Sequence, residues 1–572
     1  MRYLFLLLFT PIFCRAQTIE LEKLTITKSA QSRSQEIFSD AALRTLAVTS
    51  SEEIPGYSSS VSLTRRANFG VQQDASIRGS VFEDAAITIF GVKIKDPQTG
   101  HFSLEVPFTS ADIDEVGISA NTQEIDYKLK QPRDKGSILA TGFGAHALWT
   151  NLISSNFAFA DIKNRVSAEH KIAKGARHDT DFEIYNFSYD ALFARDGNEA
   201  EFVFGATRRD FGADSFYSNR FTQEEEHIDQ RFFSLRTRAD MDLFTLEDTL
   251  YLRRHRDKFI LDRTNPSFYT NYHTNYIYGL KHEFDFRNNA VLGLELERET
   301  IDSTNLAKHY RLRKGFFTGI KEKQLGRFVF DCIAGLDYYD SWKYLDHQHL
   351  AFGYRVFRPL IARFSFDRLW RAPSFTELFY SDPANRGNPG LSMQRSNNYE
   401  WSLQYQASGS VSLKGGYFLR TQANTIDWVK DDLNAPWDAG NIGKLDARGF
   451  DLLSQVNLNK GIFKTFSLGY TYLVLDKYTP TAFSKYVFDY NTHKFTGTGG
   501  LELLGTRLDL TAHFVDPVQR NAYVTADIKI AKTFDRLTLS LEGTNIFNTG
   551  FQEALDIPGA GRWYMLNVSY SF

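Results

Sequence analysis

Apolar and polar residues alternate along most of this chain. Between residues 183 and 193, aromatic and alanine side chains alternate with asparagine, serine and aspartate. Residues 292–297 alternate leucine with glycine and glutamate, and residues 564–572 end the chain with the same period. A period of two places successive side chains on opposite faces of a half-buried β-strand. The pattern predicts a long series of strands over residues 137–572, whereas the preceding residues show no single period.

Strand by strand, this alternation fits either a soluble β-sandwich or a membrane barrel. Three observations favour the barrel: no helical segment interrupts the series, aromatic residues cluster at segment ends, and the chain stops on the aromatic residue Phe572. Closure also removes the exposed edges that an open sheet of this size would have to protect. At roughly ten residues for each spanning strand, 22 strands would use about half of the region. We therefore predict an all-β, transmembrane antiparallel barrel of 22 strands.

Composition and charge exclude several other classes. Aromatic residues make up 15% of the 572 residues, and this abundance is incompatible with intrinsic disorder. The formal charge of -3 supplies no basic field for nucleic acid. No apolar run reaches the roughly twenty residues of a membrane-spanning helix. We see no G-x-S-x-G, H-E-x-x-H, P-loop or Cys-x-x-Cys motif, so the sequence does not predict an enzyme.

The N-terminus predicts export. Arg2 is followed by an apolar stretch over residues 3–13, and Ala16 supplies a small residue for cleavage. These features are typical of a secretory signal peptide over residues 1–16, which is too short to span a membrane. Cleavage removes Cys14 and leaves Cys332 as the single cysteine. The mature protein is then held together without an internal disulfide.

Several short motifs occur in a fixed order along the chain. They are Glu-Leu-Glu-Lys-Leu-Thr-Ile-Thr at 20–27, Asp-Ala-Ser-Ile-Arg-Gly at 74–79, the segments 91–102 and 111–116, Arg-Ala-Pro-Ser-Phe-Thr-Glu-Leu-Phe at 371–379, the segments 387–391 and 398–400, and the closing segments 543–547 and 561–563. Taken together, they resemble the TonB-dependent outer-membrane receptor family over nearly the whole mature chain. The resemblance implies a TonB-box segment at 17–30, a small α+β plug domain at 31–136 and the barrel at 137–572.

The resemblance also assigns roles within the N-terminal region. The TonB box would be Glu22, Lys23, Leu24, Thr25, Ile26 and Thr27. Such a segment must be extended, because its partner TonB pairs with its backbone by β-augmentation, and no proline interrupts it. From the residues alone, an ordinary N-terminal segment is the alternative.

Arg78 and Gly79 would contact the barrel, with the guanidinium tied to barrel carboxylates because an inward charge needs a partner. The alternative for this pair is a surface arginine beside a turn glycine. By resemblance, two plug loops would touch ligand at the outer end. Their residues are Asn68, Phe69, Gln72, Gln73, Asp96, Gln98, Thr99 and His101. Asp96 and Gly100 are typical turn residues, so simple connections are the alternative for both loops.

Segments 210–218, 426–429, 437–443 and 484–490 are similar to receptors described as vitamin B12 receptors. The predicted function is TonB-driven, proton-gradient-powered import of cobalamin or a related corrinoid, with a ferric siderophore as the next choice. The protein would be a monomer in outer-membrane lipid. The segment 117–136 departs from the family because its paired glycines are absent, which predicts a shorter plug or one with a strand fewer. The alternative function is therefore a passive porin or a surface-binding barrel with a vestigial, uncoupled plug.

Acidic residues in two loops form a candidate calcium site. Asp179, Asp181 and Glu224 could supply the carboxylate oxygens that Ca²⁺ prefers. Acidic loop residues are more often solvated, so Ca²⁺ remains an optional cofactor and no other cofactor is predicted.

Overall fold

A computed structural model describes residues 35–48, 50–216, 221–407, 410–458, 461–478, 483–554 and 557–572. The predicted signal peptide at 1–16 and the predicted TonB box at Glu22 to Thr27 lie outside the described residues. No helix among the residues described is long and apolar enough to cross a membrane.

The N-terminal region forms a small mixed domain. Its elements are β1 Glu36–Ser39, α1 Asp40–Leu43, β2 Val61–Arg65, β3 Gln73–Ile77, β4 Ala86–Ile89, β5 Val92–Lys93, β6 Ile113–Ser119 and β7 Glu124–Leu129, with 3-10 helices at Ser51–Tyr57, Phe82–Asp84, Gly100–Phe102 and Ser110–Asp112. One sheet has the order β1-β6-β7-β4-β5, and β2 and β3 form a separate antiparallel pair. The segment 117–136, which lacks the family's paired glycines, supplies the end of β6, all of β7 and the start of the next strand.

The rest of the chain is almost entirely strand. The elements are β8 Lys135–Gly144, β9 Trp149–Phe159, β10 Ile162–Ala173, β11 Phe182–Arg195, β12 Asn198–Gly212, β13 Glu225–Asp240, β14 Phe244–Ile260, β15 Thr270–Phe286, β16 Ala290–Ser303, β17 Ala307–Leu325, β18 Phe328–Tyr339, β19 Lys343–Phe357, β20 Leu360–Arg371, α2 Phe375–Phe379, β21 Asn385–Arg386, β22 Gln394–Ala407, β23 Val411–Ala423, β24 Ile426–Lys430, β25 Trp437–Asn441, β26 Lys444–Asn457, β27 Phe463–Tyr478, β28 Phe483–Ser484, β29 Asn491–Leu503, β30 Thr506–Pro517, β31 Tyr523–Phe534, β32 Leu537–Thr544, β33 Gln552–Ala554, β34 Ile557–Pro558 and β35 Trp563–Ser571, with a 3-10 helix at Ala145–Ala147.

Twenty-two of these strands close into one antiparallel barrel, which confirms the predicted strand number. The last strand, β35, pairs with the first, β8, in the register Met565↔Gly144 to Ser571↔Ile138. The alternation in the sequence sorts side chains between the two faces of the wall. On β16, Leu294 and Leu296 are exposed on the outer face, whereas Glu295 and Glu297 face the interior and lie near Arg313 of β17.

The two rims of the barrel differ in their connections. One rim has turns as short as two residues, for example at 160–161, 196–197 and 504–505, and the other carries the long connections 372–393, 424–443, 479–490 and 545–562. In barrels of this type the long loops are extracellular and the short turns periplasmic. Three of the long loops contribute β21, β25, β24 and β28 to a four-stranded sheet above the outer rim.

The N-terminal domain lies inside the barrel and fills it as a plug. Its hydrophobic core includes Val61, Ile77, Ile87 and Ile125, and continues without a break into the barrel wall formed by β12–β15. We call β12–β15 the packed wall. Its contribution to this core is Val203, Phe232, Tyr251 and Ile277. Apolar burial therefore attaches the plug most extensively to this side of the barrel, and smaller clusters join it to β10–β13 and β35 and, through Val81, to β26.

Candidate functional site

The plug meets the barrel through Arg78, which directly follows β3. Its Nη2 lies 2.6 Å from Glu400 Oε2, and its Nε donates to Asp451 Oδ2 at 2.8 Å. The guanidinium also lies 4.2 Å from the centroid of the Phe418 ring. Burial alone would lower the pKa of Arg78, but the carboxylates of Asp451 and Glu400 outweigh that effect and raise it. The arrangement is a desolvated charge cluster between plug and wall.

The backbone at residues 78 and 79 holds this side chain in place. Arg78 and Gly79 both have positive φ, at 48° and 65°, and Arg78 N donates to Ser60 O at 2.8 Å. A Cβ on Gly79 would collide with the Leu473 side chain of the wall. Glycine is therefore required both for the conformation and for the close approach of plug to barrel.

Two further basic side chains of the barrel contact the plug. Arg209 of β12 pairs with Glu52 and donates to Gly70 O, and Lys494 of β29 donates to the carbonyl oxygens of Gly56 and Ser58, each at 2.8 Å. All are buried polar contacts between residues far apart in the sequence. Because a buried charge without its partner is costly, these contacts fix one orientation of the plug.

The loop 96–101, here called the apical loop, lies at the outer end of the plug against the packed wall. Asp96 pairs with Arg253 Nη1 at 2.5 Å and accepts from Asn275 Nδ2 at 3.0 Å. Gln98 Nε2 lies 3.4 Å from Asp257 Oδ2, in the same wall. The structure thus places Asp96 and Gln98 together and buried, with their polar groups bound to the barrel.

The other two predicted residues of the apical loop face the plug itself. Thr99 Oγ1 lies 3.4 Å from Glu83 Oε1. His101 Nδ1 lies 2.8 Å from Asp74 Oδ1, and its ring stacks on Phe82 at a centroid distance of 4.3 Å.

The second predicted ligand loop is also packed inside the barrel. Phe69 N donates to Glu53 Oε1 at 3.0 Å, and the Phe69 ring meets the Trp563 ring edge-on at 4.7 Å. Asn68, Gln72 and Gln73 are buried as well. Seven of the eight predicted ligand residues are therefore buried, and a ligand would reach them only after other groups move, whereas His101 is half-buried.

An extracellular loop covers the apical loop. The backbone amides of Phe375 and Thr376 in α2 donate to Pro97 O at 2.8 Å and Gln98 O at 3.0 Å. The connection 372–393, which contains α2, is here called the outer loop. Hydrogen bonds between its backbone and the backbone of the plug join the outer surface directly to the apical loop.

Arg371 at the end of β20 holds the outer loop in position. Its Nη1 lies 2.8 Å from Glu377 Oε2, and its Nε lies 3.0 Å from Asp84 Oδ1 of the plug. Ser374 caps α2, with Glu377 N as donor to Ser374 Oγ and Ser374 N as donor to Glu377 Oε2. The sequence analysis did not predict that α2 covers the apical loop, although Ser374-Phe-Thr-Glu377 matches the S-x-x-E capping box that indicates the start of a helix.

The candidate calcium residues are arranged around an arginine. Arg263 Nη1 lies 2.7 Å from Asp181 Oδ1 and 3.3 Å from Asp179 Oδ1, and Arg263 Nη2 lies 3.2 Å from Glu225 Oε1. Glu224, which precedes Glu225, is buried. In the part of the chain that the structure describes, no group of three or more His, Cys, Asp or Glu side chains could hold a metal ion. The Arg263 guanidinium thus balances the negative charge of Asp179, Asp181 and Glu225.

Glu36 connects β1, the first described strand of the plug, to Ser58 in the interior of the plug. Its carboxylate accepts from the Ser58 hydroxyl. Burial raises the pKa of the Glu36 carboxyl from 4.5 to about 7, and nearby Asp451 adds to the rise, whereas Ser58, Lys494 and Lys414 oppose it. Because burial holds the folded-state pKa above the unfolded value, the contribution of the protonated Glu36 carboxyl to stability is complete below pH 4.5 and is lost as pH rises through about 7.

We therefore expect β1 to be less firmly attached at pH 8 than at pH 5. Hydrogen-exchange protection factors of the β1 amides, corrected for intrinsic exchange, should be higher at pH 5. Glu36→Gln keeps a neutral acceptor for Ser58 and should remove this pH dependence. An unchanged pH dependence in Glu36→Gln would assign the effect to another group.

Sequence and structure comparisons agree on one family. The sequence model described as "TonB dependent receptor-like, beta-barrel" matches residues 165–546, which is more than half of the chain. No curated protein matches this sequence. Among solved structures, the FrpB iron transporter from Neisseria meningitidis is 14% identical with a TM-score of 0.79, covering 95% of this chain and 100% of that one.

Two receptors from Pseudomonas aeruginosa have the same fold. The siderophore receptor PirA is 14% identical with a TM-score of 0.74, covering 94% of this chain and 99% of that one. The ferric enterobactin receptor PfeA is 13% identical with a TM-score of 0.79, covering 94% of this chain and 99% of that one. At these identities the likeness shows the fold, and the match over residues 165–546 shows the family. The chain belongs to the TonB-dependent receptor family, whose members are outer-membrane transporters and not enzymes.

Proposed function

We propose that this protein binds a ferric siderophore at its outer face and imports it through the barrel with energy from TonB. The observation that carries the proposal is a barrel interior filled by a plug that is fixed by buried ion pairs, above all Arg78 with Glu400 and Asp451. Passage of a chelate past such a plug requires energy to break these contacts. TonB, energised by the proton gradient, is the source that the family implies.

Iron chelates are preferred over cobalamin because of the structural relatives. The names of PirA, PfeA and FrpB refer to a siderophore, ferric enterobactin and iron respectively. The sequence favoured cobalamin from a few short loop segments, and this choice now ranks second. The aromatic and polar outer face, including Trp437 and Tyr486, suits either bulky, amphipathic ligand.

The passive porin is the competing function. It requires a lumen through which ions can diffuse, yet the plug core is continuous with Val203, Phe232, Tyr251 and Ile277 of the wall. We therefore expect the purified protein to leave planar bilayers closed, and frequent open channels would favour the porin.

The proposal is tested by uptake in a receptor-deficient strain that expresses the full chain. The probes are ⁵⁵Fe as enterobactin, as a hydroxamate siderophore and as citrate, together with ⁵⁷Co-cobalamin. We expect uptake of one iron chelate, and deletion of residues 22–27 should abolish it while leaving equilibrium binding of the same chelate unchanged. The reason is that the deletion removes the segment proposed to pair with TonB and leaves the outer face intact.

A matched deletion of residues 28–33 controls for the length of the N-terminal segment. Uptake that survives loss of residues 22–27 would remove the coupled mechanism. Uptake of labelled cobalamin alone would restore the corrinoid as ligand.

A further inference from the structure

The plug is attached to the barrel unevenly. Opposite the packed wall, the strands β29–β32 are here called the cavity wall. Between plug and cavity wall lies a cavity of about 120 Å³, which is large enough to hold several water molecules. Among the described residues, no hydrophobic cluster joins the plug to β29–β32, whereas the largest cluster joins it to β12–β15.

Contacts across the cavity are polar and discrete. Asn491 Nδ2 donates to Ser62 Oγ at 2.7 Å, and Tyr57 Oη donates to Asp527 Oδ2 at 3.0 Å. At the outer end, Arg65 of the plug lies 3.4 Å from Glu553. Lys494 of β29 also donates to Gly56 O and Ser58 O of the plug, and its buried ammonium must be rehydrated when the two separate. The other polar contacts are exchanged for water at small net cost, because each group regains hydrogen bonds with solvent. Separation of the plug from this wall is therefore easier than separation from the packed wall, where apolar surface would be exposed.

The N-terminal segment of the plug runs along the same side. Ala47 and Val48 line the cavity, and Lys529 of β31 donates to Leu46 O at 3.1 Å. A force that draws the chain toward the periplasm acts on residues 35–48 before it reaches the rest of the plug. Such a force would therefore first pull Ala47 and Val48 away from the cavity that they line.

From this asymmetry we propose that the ligand passes between the β2 side of the plug and the cavity wall β29–β32, while the plug stays packed on β12–β15. The route is lined by side chains of both signs, including Arg65, Lys494, Asp527 and Glu553. Such a lining suits a hydrated, polar iron chelate that exchanges hydrogen bonds with it. The proposal rests on the import function proposed above and names the side of the plug that opens.

Two matched disulfides test the route in the full chain, with Cys332→Ser as background. Ser62→Cys with Asn491→Cys links β2 to the cavity wall. Asp112→Cys with Ser188→Cys links the plug to β11 beside the packed wall, where the Ser188 hydroxyl lies 2.6 Å from Asp112. Each pair replaces one serine and one Asp or Asn whose side chains are in hydrogen-bonding contact. Mass spectrometry of the purified proteins verifies each bridge.

We expect the oxidised Ser62/Asn491 pair to lose ⁵⁵Fe-siderophore uptake and to regain it after reduction. The oxidised Asp112/Ser188 pair should retain uptake. Retained uptake with the oxidised Ser62/Asn491 bridge would overturn the route. Equal loss of uptake with both bridges would also overturn it, because that result would indicate that the whole plug moves. Failure of every protein, including the Cys332→Ser background, to import any iron chelate would instead refute the import function.

A second measurement follows the opening while the imported iron chelate is supplied. Thr64→Cys on the cavity side and Ala85→Cys in the plug core are exposed separately to a water-soluble thiol reagent, in cells with and without TonB. Thr64→Cys should react faster when TonB is present, and Ala85→Cys should react equally in both. Equal rates for Thr64→Cys would refute opening on this side.

Discussion

Replacing Arg78 by alanine should release the plug at a clearly lower urea concentration than in the unsubstituted protein. The change leaves the carboxylates of Glu400 and Asp451 buried without their cation. Removing one partner of a buried ion pair costs about 3–5 kcal/mol, because the remaining charge is uncompensated. Opening of the purified protein in planar bilayers during a urea titration measures plug release directly.

Arg44→Ala is the matched control in the same domain. Arg44 is exposed and pairs with Asp40 at 2.9 Å on the plug surface, a contact worth about 0.2–1 kcal/mol. Its urea midpoint should therefore stay close to that of the unsubstituted protein. Equal midpoints for Arg78→Ala and Arg44→Ala would show that the Arg78 cluster does not hold the plug.

Replacing Arg371 by alanine should detach the outer loop from the plug. The guanidinium lies between Glu377 of α2 and Asp84 of the plug, and both carboxylates would be left buried without it. The carboxylates of Glu377 and Asp84 would then repel each other and require hydration, and both effects should move α2 away from the apical loop. Hydrogen exchange of the Phe375 and Thr376 amides, which donate to Pro97 O and Gln98 O, should accelerate strongly.

The control for this prediction lies in the same loop. Arg386 pairs with Asp438 at 2.7 Å, and both side chains are more than half exposed. Arg386→Ala should leave the exchange of the Phe375 and Thr376 amides unchanged, because an exposed ion pair contributes little. Unchanged exchange in Arg371→Ala as well would show that the backbone contacts alone hold the cover.

The two predictions concern successive layers of one path. Inward from the outer face, α2 is hydrogen-bonded to the apical loop, and His101 of that loop lies 2.8 Å from Asp74 on β3, the strand that Arg78 directly follows. Loss of Arg371 should expose the apical loop, and loss of Arg78 should loosen the plug beneath it. We propose that binding at the outer face is sensed inside along this order of contacts, which is distinct from the route proposed for the ligand itself.

The sequence by itself determined the architecture of this protein. Alternation with a period of two is a local property of strands, and its persistence from residue 137 to Phe572 was enough to predict a barrel whose length fits 22 strands of about ten residues. The order of short motifs was enough to predict the family. The all-β class and the family follow from local patterns and their order along the chain, because neither depends on which distant residues come into contact.

Only the tertiary structure decided the partners of the plug. The acceptors for Arg78 lie 322 and 373 residues away, at positions set by the register of the barrel. The same holds for Asp96 and Gln98, which the sequence placed at a ligand-facing turn and which the folded chain buries beneath α2, and for His101, which is half-buried against Asp74 and Phe82 of the plug. The unequal attachment to β12–β15 and β29–β32 is likewise invisible in the sequence, since inward-facing polar and apolar residues satisfy the same alternation whichever surface of the plug they meet.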